Sequence, residues 1–364
     1  MNFELERVVI EQEFRSSALT RRVLAGLPAS VTVEYVDDGR AATRPDPQAA
    51  DPFATGKRRL VLMRRRSPFV MACPAGGGEF ACCGYQVMAL ASNCPMDCSY
   101  CFLQEYVANN PAFQIYANYT QAFDELAALT RRASGNHLRV GTGEWADSLA
   151  WDKLTGLSLE LVDFFSRQQT LLLEFKTKTD EIENLLRIDP KGQVLVSWSL
   201  SPAAVYRASE HRSAPPAARI AAARRLCEAG YRIAFHLDPV IAYEQAQRDY
   251  LALLDELFAT IDPRRIAFIS LGGLRMTPAL RTIARRRFPA DPMLAGEEVL
   301  APDGRYRTFV PLRAALLATL VQHIRARRAD LLTYLCMESA TMSERVLGAP
   351  AARAATLGAR LASG

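Results

Sequence analysis

The sequence predicts an α/β protein: a partial (β/α)6 TIM-like barrel with an N-terminal α/β extension and a C-terminal hairpin and helix. Six short apolar runs recur at 85–91, 137–142, 170–177, 193–200, 231–238 and 266–272. Helix-like stretches follow them, as at 154–168, 215–229 and 244–261, with apolar residues three and four apart. The runs themselves are near-continuous in hydrophobicity, the pattern of parallel strands buried on both faces. Six β-α units are too few to close an eight-stranded barrel, so a partial barrel or a doubly wound sheet remains. In both, ligands gather beyond the C-terminal ends of the strands.

Taken in order, residues 1–84 read as the N-terminal extension, mixing strand and helix, with a polar, proline-bearing loop near 38–56. Residues 85–290 hold the barrel. In 291–364, "EEVLAPDGRYRTFVPL" (297–312) places two extended runs around Asp303-Gly304, a hairpin signal. A basic helix and a last apolar segment, "LLTYLCME", follow.

With 364 residues, 49% of them hydrophobic, the chain can bury a large core. No apolar run is long enough to span a bilayer. The opening "MNFELERVVIEQEF" lacks the apolar centre of a signal peptide, so a soluble, cytoplasmic protein is expected. The formal net charge of +5 permits nucleic-acid binding without demanding it. The eight cysteines are unevenly placed, which favours metal or redox chemistry over structural disulfides in a cytoplasmic chain.

Three of them stand in "SNCPMDCSYCFL": Cys94, Cys98 and Cys101, spaced C-x3-C-x2-C just after the first strand. Structural zinc wants four ligands, usually in paired knuckles. A cubane iron–sulfur cluster also normally takes four thiolates, so three leave one iron open to a small chelating molecule with an amino nitrogen and a carboxylate oxygen. After the second strand, "GTGE" supplies Gly141, Gly143 and the carboxylate Glu144, which can accept hydrogen bonds from a cationic amine. The C-x3-C-x2-C loop resembles the radical SAM superfamily, and "GTGE" resembles its G-G-E element. The resemblance implies a [4Fe-4S] cluster on Cys94, Cys98 and Cys101, and S-adenosylmethionine (SAM) on the open iron. It also implies reductive cleavage of SAM to a 5′-deoxyadenosyl radical that abstracts hydrogen.

More of the chain resembles one group, the spore photoproduct lyase family of radical SAM proteins. The matching pieces run from "CCGYQVMALASNCPMDCSYCFLQEY" through "GEWADSLAWDKLTGLS", "EFKTKTDEIENLL" and "VSWSLSP" to "APPAARIAAARRLCEAGYRIAFHLDPVI" and "RIAFISLGGLR". They cover 82–275. The resemblance implies splitting of a thymine-dimer-type DNA lesion, and an external electron donor of flavodoxin or ferredoxin type. It implies contact between Lys178 and the methionyl carboxylate of SAM, and a polar contact from Ser199. A cationic ammonium suits a carboxylate.

The chain departs from the family at two positions. The family's hydrogen-donating cysteine falls at Glu144, and its relay tyrosine at Phe102, although Tyr100 remains; Tyr100 and Glu144 are the candidate catalytic pair. A carboxyl O–H is far stronger than a thiol S–H, so either the substrate differs or another cysteine donates. Cys73, Cys82, Cys83 and Cys336 are candidates for that thiol, or for a second metal or redox site; Cys227, on an amphipathic helix, reads as a buried hydrophobe. Arg305, Tyr306 and Arg307 near the hairpin tip are candidate DNA contacts. Two rival readings remain: a radical SAM enzyme with a non-DNA substrate, and a non-catalytic zinc- or DNA-binding protein.

Overall fold

The computed structural model describes residues 4–73, 80, 83–132 and 137–348. An eight-stranded sheet curls through its centre, and all seven barrel strands lie parallel. They are β1 (Gln86–Met88), β2 (Leu138–Gly141), β3 (Leu171–Thr177), β4 (Val194–Ser199), β5 (Arg232–Val240), β6 (Ile266–Gly273) and β7 (Thr333–Leu335). The short strand Val70–Ala72 caps the β1 edge, antiparallel.

The six predicted runs all become strands of this sheet, and the half-barrel fold is as expected. Two details differ. The last apolar segment, "LLTYLCME", adds a seventh parallel strand beside β6 rather than lying outside the sheet. The first predicted strand splits: Gln86–Met88 stays in the barrel, while Ala91–Ser92 joins a second sheet.

That second sheet has five strands. Arg7–Glu11, Thr32–Val36, Arg59–Met63 and Phe113–Tyr116 pair in parallel, and Ala91–Ser92 is the antiparallel edge. It therefore draws strands from beyond residue 84. One large apolar cluster joins it to the outer face of the barrel. A smaller cluster inside the barrel, including Leu172, Leu195, Ala234 and Phe268, explains the continuous hydrophobicity of the strands: both of their faces are covered.

The helices match their periodic stretches, at Pro216–Glu228 and Ala246–Thr260, for example. The predicted helix at 154–168 breaks at Gly156, whose φ of +59° only glycine adopts cheaply, into Asp152–Thr155 and Leu157–Phe165. The hairpin forms as Val299–Leu300 against Tyr306–Arg307. Its second run is shorter than expected, because Pro311 opens the helix Val310–Arg327. No helix among the described residues is long and apolar enough to cross a membrane.

Candidate active site

A cavity of about 310 Å³ opens at the C-terminal end of the barrel. Cys94, Cys98 and Cys101 line it, from the loop after β1. Several neighbours fix that loop. Asp97–Cys98 pairs antiparallel with Glu210–His211. The Asp97 carboxylate is held by Lys57 at 2.9 Å and Arg287 at 3.0 Å. Gln104 Nε2 donates to the Ser99 carbonyl at 2.8 Å, and Ser99 Oγ donates to Asp291. Burial pushes all three thiols up, Cys98 to about 12, and each lies close enough to raise the others or be raised by them. A cationic cluster offsets that penalty, because thiolate is the ligating form. Three thiols on one cavity wall, whose thiolate forms need a cation to stabilise them, thus fit an iron–sulfur cluster. Among the described residues, no three His, Cys, Asp or Glu side chains converge tightly enough to hold a single metal ion.

The loop after β2 lies across the cavity. Asp147 Oδ1 accepts from Leu149 N, Ala150 N and Thr177 Oγ1, while Oδ2 accepts from Lys178 N at 2.7 Å. Ser148 Oγ accepts from Lys176 N at 3.0 Å. These bonds staple the loop to the end of β3. Glu144 and Gly143 line the cavity; Gly141 does not. Gly141 has a different task, since a Cβ there would sit 1.7 Å from the Tyr85 hydroxyl. At Gly143 a Cβ would lie 2.6 Å from that of Lys176, so the close approach is to β3. Glu144 has no hydrogen bond or ion pair with any described residue, and burial holds its carboxyl above the usual range. An unpartnered carboxyl group lining the cavity can accept from a ligand's donor.

Lys178 and Ser199 both line the cavity. The three serines of "SWSLS" divide cleanly: Ser197 bonds Glu174 inside the barrel, Ser201 bonds Glu210, and Ser199 alone of the three lines the cavity. The Lys178 ammonium sits 3.0 Å from Glu210 Oε1 and 2.9 Å from the Tyr100 hydroxyl. Tyr100 itself donates a short bond to Glu210. Burial alone would raise the Glu210 carboxyl, but Arg219 and Lys178 outweigh it and hold it well below the carboxylate range.

Glu210 and Arg219 carry no motif, and nothing in the sequence marks them. Lys176, Asp238 and Arg275 are further cavity residues that sequence reading missed, although Lys176 and Asp238 lie on predicted strands. Asp238 pairs with Arg275 at 2.8 Å. The Lys176 ammonium has no hydrogen-bond or ion-pair partner among the described residues; burial works against its charge, while Asp238 and Glu144 favour it.

The extra cysteines separate. Cys73 and Cys336 line the cavity, reached from the two opposite edges of the curled sheet. Cys83 instead accepts from Arg139 Nη2 at 2.9 Å, inside the barrel. Cys82 lies outside the described residues. Cys227 is buried, as expected.

The hairpin corrects one expectation. Arg307 is no free cation for DNA: it is 2% exposed, 2.7 Å from Asp303 and 3.6 Å from Glu338. Tyr306 lies under Arg281, 4.4 Å from guanidinium carbon to ring centroid. Arg305 points into the cavity rim. The turn sits at Gly304, so these side chains fold back on the protein instead of projecting from a tip.

A curled, parallel half-barrel with a C-x3-C-x2-C loop beyond its first strand is the build of a radical SAM enzyme, here of the lyase type. The family model "Spore photoproduct lyase" matches residues 51–307. This chain belongs to the spore photoproduct lyase family. It is 22% identical over 284 residues to the spore photoproduct lyase of Clostridium acetobutylicum, covering 78% of this chain and 82% of the relative. It is 23% identical over 240 residues to that of a Geobacillus species, covering 65% and 68%. Among solved structures, spore photoproduct lyase complexed with dinucleoside spore photoproduct superposes with a TM-score of 0.81 at 19% identity, covering 92% of this chain and all of that one. A double mutant of spore photoproduct lyase, with bound AdoMet and the same dinucleoside, superposes at 0.80.

Proposed function

We propose that this protein is a radical SAM lyase acting on spore photoproduct or a closely related pyrimidine-dimer lesion in DNA. One observation carries the reading: the three thiols of the motif, the unpartnered Glu144, and Lys178 with Ser199 all line one cavity at the C-terminal end of the barrel. Cys94, Cys98 and Cys101 hold a [4Fe-4S] cluster. Glu144 accepts from the amino group of SAM, while Ser199 and the Lys178 ammonium face its carboxylate. When bound, cluster and SAM together supply a hydrogen-abstracting carbon radical. A one-electron donor of ferredoxin or flavodoxin type supplies the reducing equivalents.

Hydrogen must then return to the substrate-derived radical, and Glu144 cannot provide it. Cys336 lines the cavity at the end of β7, and burial keeps it as a thiol. We assign the return step to it: the Cys336 S–H bond breaks, a product C–H bond forms, and the thiyl radical takes one electron and one proton to regain the thiol. The electron comes from the same one-electron donor.

The test uses anaerobically reconstituted protein, SAM, a one-electron reductant and dinucleoside spore photoproduct. The reading predicts conversion of the lesion to its two thymines. SAM cleavage that leaves this lesion untouched at every reductant level would favour the non-DNA alternative.

A further inference from the structure

Three aromatic rings stand on one side of the cavity. Phe102 follows the cluster cysteine Cys101 directly, Tyr106 is one turn further along, and Trp145 follows Glu144 in the loop after β2. Their ring centroids are 5.4 Å (Phe102–Tyr106), 6.0 Å (Tyr106–Trp145) and 6.3 Å (Phe102–Trp145) apart. All three line the cavity.

Phe102 packs against the apolar core, but the other two rings do not belong to it. Trp151 and Trp198 are buried in the apolar core, but Trp145 and Tyr106 neither build that core nor pack against it. Tyr106 remains 54% exposed, although a large aromatic left in water forfeits most of its hydrophobic gain. Trp145 is also held in place before any ligand arrives, since Asp147 and Ser148 tie its loop to β3. Pre-positioned rings of this kind lose little conformational entropy on binding. Flat aromatic surfaces beside a polar, mixed-charge pocket match a nucleobase, which brings a π-face to stack and a polar edge or phosphate to pair.

We propose that Trp145, with Tyr106 and Phe102, forms a stacking surface for a nucleobase. The inference rests on reading the cavity as a site of nucleotide chemistry. Two ligands of that reading carry such a ring, the adenine of SAM and a pyrimidine of the DNA lesion, and binding distinguishes them.

The experiment measures calorimetric affinity of the anaerobic, cluster-loaded protein for SAM and, separately, for dinucleoside spore photoproduct. Wild type is compared with Trp145→Ala, Trp145→Phe and Tyr106→Ala, with iron content and circular dichroism as folding controls. Trp145→Ala is expected to weaken one ligand by roughly five- to a hundred-fold, the range for removing one stacking partner. Trp145→Phe is expected to recover most of that loss, because it keeps a π-face. A loss confined to SAM makes the ring adenine; a loss confined to the dinucleoside makes it the pyrimidine. Should Trp145→Ala misfold, Tyr106→Ala carries the test, because Tyr106 is outside the core. Wild-type affinity of these variants for both ligands would overturn the stacking surface. Failure of wild type to bind the dinucleoside would instead count against the lesion as substrate, and the SAM arm would still decide the platform.

Discussion

Two polar regions of the same barrel, one inside it and one at the C-terminal end of its strands, differ in how fully their side chains are partnered. Inside the barrel, Arg139 reaches Glu174 at 3.3 Å, the Tyr334 hydroxyl at 3.0 Å and Cys83. Glu174 in turn meets His236 Nε2 at 2.9 Å and accepts from Ser197 at 2.7 Å, and His236 Nδ1 lies 2.5 Å from Ser270. Arg139 is also sandwiched near the Tyr85 and Phe268 rings. Here each charged side chain is paired with another protein group; Arg139 Nε, Glu174 Oε2 and the Tyr85 hydroxyl make no hydrogen bond, although Arg139 Nη1 lies 3.3 Å from Glu174 Oε2. At the C-terminal end of the strands, Glu144 and Lys176 have no protein partner among the described residues. Both side chains line the cavity and are only partly buried, so their unpartnered ends are open to a ligand. The closed network is architecture; the open set marks the candidate binding site.

That contrast is easiest to break at its extremes. The largest effect is expected from Cys94/Cys98/Cys101→Ala, which should reduce bound iron and SAM cleavage to background while leaving the barrel folded by circular dichroism. Next, Arg139→Met leaves Glu174 as an uncompensated buried charge, and should cost about 3–5 kcal/mol in denaturant unfolding.

The pH dependence comes third. Burial, with Lys176 beside it, lowers His236 to about 4 from the 6.5 of a free imidazole. The folded chain therefore binds this proton less readily than the unfolded chain. Its contribution to stability is complete above pH 6.5 and is lost as pH falls toward 4, on the order of 3 kcal/mol in all. Unfolding curves between pH 7 and pH 4 should show that slope in wild type and a flatter one in His236→Gln. Equal slopes would mean that the imidazole is already charged in the fold.

The smallest expected effect is the most telling for the comparison. Lys176→Met should change stability by less than about 1 kcal/mol, since its ammonium bonds no described residue, yet it should weaken ligand binding. A large loss of stability would place Lys176 with the closed network. For the hydrogen-return step, Cys336→Ala should still consume substrate, but deuterium from heavy water should no longer appear in the repaired product.

The legible parts of this molecule are those set by local pattern. Parallel strands buried on both faces produced continuous apolar runs, so six of the seven were readable from residues 85–272. The seventh, Thr333–Leu335, was missed because a three-residue strand after a long helix has no periodicity to distinguish it from any apolar segment. The cysteine triplet and Glu144 stood out by their motifs, and Lys178 and Ser199 through the family resemblance; all of them line the cavity. Glu210, Arg219 and Lys57 did not stand out, since their roles arise from packing between distant segments: Lys57 is 40 residues from Asp97. Arg307 misled for the same reason. A basic hairpin reads as exposed until Asp303 and Glu338 are seen to enclose it.

The most direct test of the central claim is SAM cleavage itself. Protein reconstituted anaerobically with iron and sulfide is given SAM and a strong one-electron reductant, and 5′-deoxyadenosine is measured against the triple-alanine variant. The account predicts a brown protein that makes 5′-deoxyadenosine, and a variant that makes none. A colourless wild-type protein, or equal yields from both, would contradict it and return the cysteine loop to a zinc-binding or structural role.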